Sequence, residues 1–179
     1  MKKTILLLLT ISTLLLSCNR STQEQTQTSP ALKQQKSENP TQIFLVRHAE
    51  KSTNDPRDPD LSPAGKERAE NLKYHLAEAN ITTIYTTDYK RTRQTVQPLA
   101  EALGIDPIIY TTDLIDITQI LQDHSSGNVL VAGHSNTTPK LANKLLNQEK
   151  HQSLDESVYH KLFIVTKSDD QFTSTIFQY

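Results

Sequence analysis

Short apolar runs, each leading through a polar cluster into a stretch with helical spacing, constrain this chain more than any other feature. Ile43-Phe44-Leu45-Val46 is the first run, and it is typical of a strand buried on both faces. Ser62-Pro63 then opens a helix, with the serine placed as a cap and the proline at the first helical position. Ala69, Leu72, Leu76 and Ala79 follow at helical spacing. Ile84-Tyr85-Thr86 reads as a second strand. The next helix puts Val96, Leu99, Ala100 and Leu103 on one face and stops at Gly104; Pro98 inside it is expected to kink or unwind a turn. Ile108-Ile109-Tyr110 is a third strand, residues 116–124 a short helix, Val129–Ala132 a fourth strand, and Thr138–Asn147 a helix. Leu162–Val165 and Phe172–Gln178 close the chain as two strands joined by a polar turn. Strands alternating with helices predict a three-layer α/β fold. Its central sheet is mostly parallel, helices cover both faces, and an antiparallel C-terminal hairpin lies at the edge.

The chemistry follows from where the polar groups fall. Arg47-His48 comes directly after the first strand, Arg91 and Arg93 shortly after the second, and Gly133-His134-Ser135 directly after the fourth. Open parallel sheets bind ligands beyond the carboxyl ends of their strands. Two histidines and at least two arginines from distant segments therefore converge at one sheet edge. Arginine offers a rigid fork of donors matched to phosphate oxygens, and a neutral imidazole is a competent nucleophile. The bland alternative is separate surface salt bridges. It explains one Arg-His pair well and three such clusters after three strands poorly. Asp55, Asp58 and Asp60 lie close together but lack the glycine and closing glutamate of a calcium loop. No metal-ligand spacing stands out. His75, His124, His151 and His160 read as surface or structural residues, and Tyr74, Tyr85 and Tyr159 as core or edge packing.

Leu45-Val46-Arg47-His48-Ala49-Glu50 resembles the signature of the histidine phosphatase superfamily, the phosphoglycerate mutase-like proteins. Further stretches agree in order: Leu61–Ala69, Thr87–Thr95 with Arg91, Gly133-His134-Ser135-Asn136, and the closing segment Tyr159–Tyr179. The resemblance spans nearly all of residues 42–179. It implies that His48 attacks phosphorus and becomes a phosphohistidine, while Arg47, Arg91 and His134 hold the phosphoryl oxygens. It implies no cofactor and no metal. Many members place a glutamate after the third strand to protonate the leaving group. Here Asp116 fills that place, Asp113 competes for it, and helix capping is the alternative role for either. Asn54, six residues after His48, matches a phosphate-contacting asparagine of some members. Lys51 and Arg57 lie in the same loop, where solvated charges are the ordinary expectation.

The first stretch lies outside this pattern. Met1-Lys2-Lys3 is a basic start, and Ile5–Leu16 is an almost unbroken apolar run of 12 residues, short of the ~20 needed to span a bilayer. That combination reads as a secretory signal over residues 1–17. Leu15-Leu16-Ser17-Cys18 resembles the lipobox of bacterial lipoproteins, which implies lipidation at Cys18, the only cysteine. Residues 18–40 then form a polar tether, and 41–179 the folded domain. Between 19 and 40 there are five glutamines and six serines or threonines, with only Ala31 and Leu32 apolar, too little to offset the entropy of ordering. The expected location is outside the cytoplasm, anchored by lipid on a periplasmic or outer-membrane face. The formal net charge of −1 argues against a nucleic-acid partner, which calls for a basic excess.

The expected function is a phosphatase acting on phosphomonoesters of small molecules or other phospho-ligands. A phosphoglycerate mutase is disfavoured because the long insertions of mutases are missing between these motifs. A protein-phosphohistidine phosphatase fits the compact size but not export. A non-catalytic phosphate-binding lipoprotein is the alternative of a different class; the presence of both histidines and both arginines favours an enzyme.

Overall fold

The computed structural model describes residues 40–111, 114–169 and 171–179, with 114–116 described by backbone alone. Six strands and four helices alternate: β1 (Thr41–Arg47), α1 (Pro63–Leu76), β2 (Ile81–Thr86), α2 (Lys90–Leu103), β3 (Ile108–Ile109), α3 (Leu114–Asp123), β4 (Asn128–Gly133), α4 (Thr137–Leu146), β5 (Lys161–Ser168) and β6 (Gln171–Gln178). The sheet order is β3-β2-β4-β1-β5-β6. β1 runs parallel to β4, β4 to β2 and β2 to β3. β5 is antiparallel to β1, and β6 to β5. This is the expected α/β architecture with its antiparallel pair at one edge.

The pleat divides the core. Ile43 and Leu45 of β1 face one layer with Val129 and Val131, packed under Ile117 and Leu121 of α3 and Leu141 and Leu145 of α4. Phe44 and Val46 face the other, with Leu130 and Ala132, under Leu72 and Leu76 of α1 and Val96 and Leu99 of α2. Burying such a side chain fully stabilises the fold by about 1.5–3 kcal/mol, so the alternation fixes the register of β1 and hence where Arg47 and His48 emerge.

Local signals act as read. Ser62 Oγ accepts from Gly65 N at 3.1 Å, capping α1 with Pro63 in its first turn. α2 ends on Gly104 at φ 65°, where the left-handed backbone returns its N–H to the last carbonyls. α2 does not unwind at Pro98: it is helical on both sides of the proline, with Thr95, Val96, Leu99 and Ala100 buried across the position. α1 ends before Ala79, which packs on the core from beyond the helix. β3 is only two residues long, its isoleucines exposed at the sheet edge. Tyr74 also corrects the reading from sequence: it is 79% exposed on the outer side of α1.

Candidate active site

β1, β2 and β4 end side by side, and the chain that leaves them builds one pocket of about 350 Å³. His48 N donates to Gly133 O at 2.9 Å, carrying the strand pairing one residue past β1. Ala49 N donates to Thr95 Oγ1 at 2.9 Å, and Thr138 Oγ1 to Val46 O at 3.0 Å. Hydroxyls from α2 and α4 thus lock the turn that presents His48. Gly133 is required here for space, since a Cβ would stand 2.9 Å from both the Tyr110 and Thr137 hydroxyl oxygens.

The imidazole of His48 is 4% exposed. Its Nδ1 lies 2.8 Å from Ala49 O. A carbonyl only accepts, so Nδ1 carries the proton and Nε2 keeps its lone pair. Burial, with the charges of Arg47, Arg91 and the His134 ring acting in the same sense, lowers the His48 pKa to about 3. The ring is therefore neutral at physiological pH, the form required of a nucleophile.

His134 stands edge-on to it, ring centroids 5.6 Å apart. Its Nε2 lies 3.1 Å from Thr87 Oγ1. Thr87 Oγ1 donates to Thr92 Oγ1 at 3.0 Å, and Thr92 Oγ1 in turn to the Thr87 and Tyr89 carbonyls, each at 2.9 Å. With the hydroxyl protons running that way, His134 Nε2–H is the donor to Thr87. Burial first, then Arg91 and Arg47, lowers the His134 pKa to about 4.

Arg47 is 1% exposed. Its Nη1 donates to Asp155 O, Glu156 O and Val158 O at 2.9, 3.2 and 3.1 Å, and its Nη2 to Glu156 Oε2 at 3.0 Å. Its guanidinium also stacks on Tyr159, 4.1 Å from the ring centroid. Arg91 lies over Tyr89 at 4.3 Å and faces Asp58 Oδ1 at 3.6 Å. The Nε atoms of both arginines are buried without a hydrogen-bond partner. Orphaned buried donors carry a cost, and here they flank a pocket lined by His48 and His134. α2 and α4 both begin at this pocket, through Tyr89 and Asn136-Thr137, adding the positive ends of two helices. The arrangement fits a tetrahedral oxyanion.

Arg47, His48, Arg91 and His134 are thus brought together from three strand ends. Arg93 is not among the lining residues; it pairs with Asp88 on the surface. Asn54 does not line the pocket either. Its Nδ2 donates to Asp60 Oδ2 at 2.5 Å and its Oδ1 accepts from Asp60 N at 3.1 Å, so it stitches the 51–60 loop. Lys51 does line the pocket, and Arg57 lines an adjoining cleft with Lys51 and Arg91. Asp113 and the side chain of Asp116 lie outside the described residues, as does Cys18. Among the described residues, no group of three or more His, Cys, Asp or Glu is placed to hold a metal ion. Tyr89, Thr87, Glu156 and Tyr159 were not singled out as site residues by the sequence. The position of Tyr89 and Thr87 beside Arg91 offered a signal, and Tyr159 opens the closing segment that resembles the family; Glu156 lies just before it, in no recognised stretch.

Comparison with known proteins agrees with this geometry. Residues 43–119 match the model of the histidine phosphatase superfamily (branch 1). A probable phosphoglycerate mutase GpmB of Shigella dysenteriae is 32% identical over 108 residues, 57% of this chain and 50% of that protein. Phosphoserine phosphatase 1 of Hydrogenobacter thermophilus is 38% identical over 72 residues, 37% of this chain and 34% of that protein. The chain thus spans half or less of the length of these curated relatives. Among solved structures, the protein histidine phosphatase SixA complexed with tungstate superposes with a TM-score of 0.63 at 16% identity, covering 77% of this chain and 97% of that one. A mycobacterial glucosyl-3-phosphoglycerate phosphatase gives 0.62 at 12% identity, covering 78% and 99%. At these identities the likeness is one of fold.

Proposed function

We propose that this chain is a metal-independent phosphatase of the histidine phosphatase superfamily, hydrolysing phosphomonoesters through a phosphohistidine on His48, a reading supported by the match of residues 43–119 to that superfamily's model. One observation carries the reading. His48 is buried and neutral, its Nδ1–H is committed to Ala49 O, and its Nε2 lone pair belongs to a pocket that Arg47 and Arg91 also line.

The chemistry runs in two displacements. A phosphoryl group enters with its oxygens toward Arg47, Arg91, His134 and the start of α4. Nε2 of His48 attacks phosphorus as the ester oxygen departs. The cations neutralise charge already in position, so little reorganisation is needed during transfer. Water then attacks phosphorus, the N–P bond breaks, and His48 regains its lone pair. His134 gives Nε2–H to Thr87, so it donates to a phosphoryl oxygen once the incoming anion has raised its proton affinity and Nδ1 is protonated as well. The same reading places the protein outside the cytoplasm on a lipid at Cys18, supported by the basic start, the apolar run and Leu15-Leu16-Ser17-Cys18.

The test is hydrolysis of an aryl phosphate by the full chain, with a chelator present, across pH 4–8 and beside His48→Ala. Turnover that survives chelation and vanishes in the variant is the expected result. A folded protein with no turnover, whose melting temperature still rises with phosphate or vanadate, would assign a phosphate-binding lipoprotein instead.

A further inference from the structure

We propose that Glu156 is the general acid–base of this site, protonating the departing ester oxygen and then deprotonating the water that frees phosphate, an inference that rests on the phosphatase reading above. Among the described residues, Glu156 is the one carboxylate that lines the pocket with His48. Its placement is fixed twice over. Its carbonyl binds Arg47 Nη1 at 3.2 Å and its Oε2 binds Arg47 Nη2 at 3.0 Å, while its Oε1 accepts from Ser135 Oγ at 3.0 Å.

Depth gives the direction. His48 is 4% exposed, whereas the Glu156 side chain is 72% exposed. The nucleophile sits at the floor and the carboxylate at the mouth. In-line displacement sends the leaving oxygen away from the nucleophile, toward the mouth and within the compass of Glu156.

The ionisation follows from the neighbours. Ser135 and Arg47 hold the Glu156 carboxyl below the usual range, with Lys51 acting in the same sense. Arg91 and the neutral His134 line the same pocket, and Asp155 adjoins Glu156 in the chain. A phosphoryl group competes for Arg47 Nη2 and adds a like charge beside the carboxylate. Both effects raise its affinity for a proton. In the first displacement the N–P bond forms, the P–O ester bond breaks, and the Glu156 proton passes to the alcohol oxygen. In the second, a water proton passes to Glu156 as the water oxygen bonds phosphorus and the N–P bond breaks. Ester and water are consumed, alcohol and phosphate released, and both side chains restored.

The experiment compares wild type, Glu156→Gln and Asp116→Asn as full chains on p-nitrophenyl phosphate and on an alkyl phosphate. The aryl oxygen leaves without a proton and the alkyl oxygen does not. Glu156→Gln is expected to lose about 100-fold or more in kcat/KM on the alkyl ester and far less in kcat/KM on the aryl ester, whose kcat falls instead because hydrolysis of the phosphohistidine has lost its base. Turnover of the aryl ester by the same preparation establishes that the variant is folded. Parallel change on both esters, including a gain from removing a carboxylate that competes with phosphate, overturns the assignment. So does a selective alkyl-ester loss in Asp116→Asn with Glu156→Gln unaffected. Hydrolysis of neither ester by wild type would overturn the phosphatase reading together with this one.

Discussion

The two site histidines make the stability of the fold fall with pH while the carboxylates are still ionised. In the unfolded chain an imidazole titrates near its ordinary value of 6.5, whereas in the fold His48 titrates near 3 and His134 near 4. Between these limits the unfolded state binds more protons, so stability is complete above pH 6.5 and is lost as the pH drops toward the folded values. At pH 5 the unfolded His48 is almost fully protonated and the folded one is not, which costs about 2 kcal/mol relative to pH 7.5. His134 acts with the same sign but less, because solvent reaches its ring, and His151 is lowered too, chiefly by burial. At roughly 2–4 °C per kcal/mol for a domain of this size, His48 alone lowers the melting temperature by about 4–8 °C. Thermal melts by circular dichroism in phosphate-free buffers from pH 7.5 to 5 measure this, with His48→Gln alongside. Glu50, Glu156 and Asp60, held low by their partners, add a slope of the same sign that is common to wild type and variant, so the difference between the two melts isolates His48. A flat profile in wild type, or an equal slope in the variant, would refute the reasoning.

Two further predictions separate orientation from anchoring. Thr87→Val removes the oxygen between His134 and Thr92 while keeping shape; it leaves buried polar atoms unpaired, costs about 1–3 kcal/mol, and is expected to lower kcat/KM more than it lowers phosphate affinity, read by steady-state kinetics beside phosphate titration. Cys18→Ser is expected to leave aryl-phosphate turnover intact and to move the protein from the membrane fraction to the soluble one; unchanged membrane recovery would sink the lipid anchor.

Most of the scaffold was legible because its signals are local. Apolar runs of four residues, a Ser-Pro helix start and a glycine stop each act within a few residues, and the alternation of Ile43 to Val46 is the alternation of the two core layers. Arg47, His48, Arg91 and His134 could be grouped because each follows a strand. Pro98 does not unwind α2, where buried residues lie on both sides of it. Tyr159 was read as packing, but its partner is Arg47, 112 positions away in sequence, and Glu156 reaches the same arginine from a stretch with no periodicity at all. Such contacts are set by where β5 lies beside β1, which no local pattern announces.

The clasp on Arg47 also bears on how the protein comes to exist. The three carbonyls that receive its guanidinium lie 108 to 111 residues further along the chain, and β5, just beyond them, supplies one flank of β1. During synthesis the arginine is made early and its acceptors late. Until the ribosome has delivered them, a cation destined for the interior has no counterpart there, and β1 pairs on one side at most. Contacts this distant make folding slow, since loop closure must precede any gain. The clasp on Arg47 can therefore close only once residues 155–158 have been made.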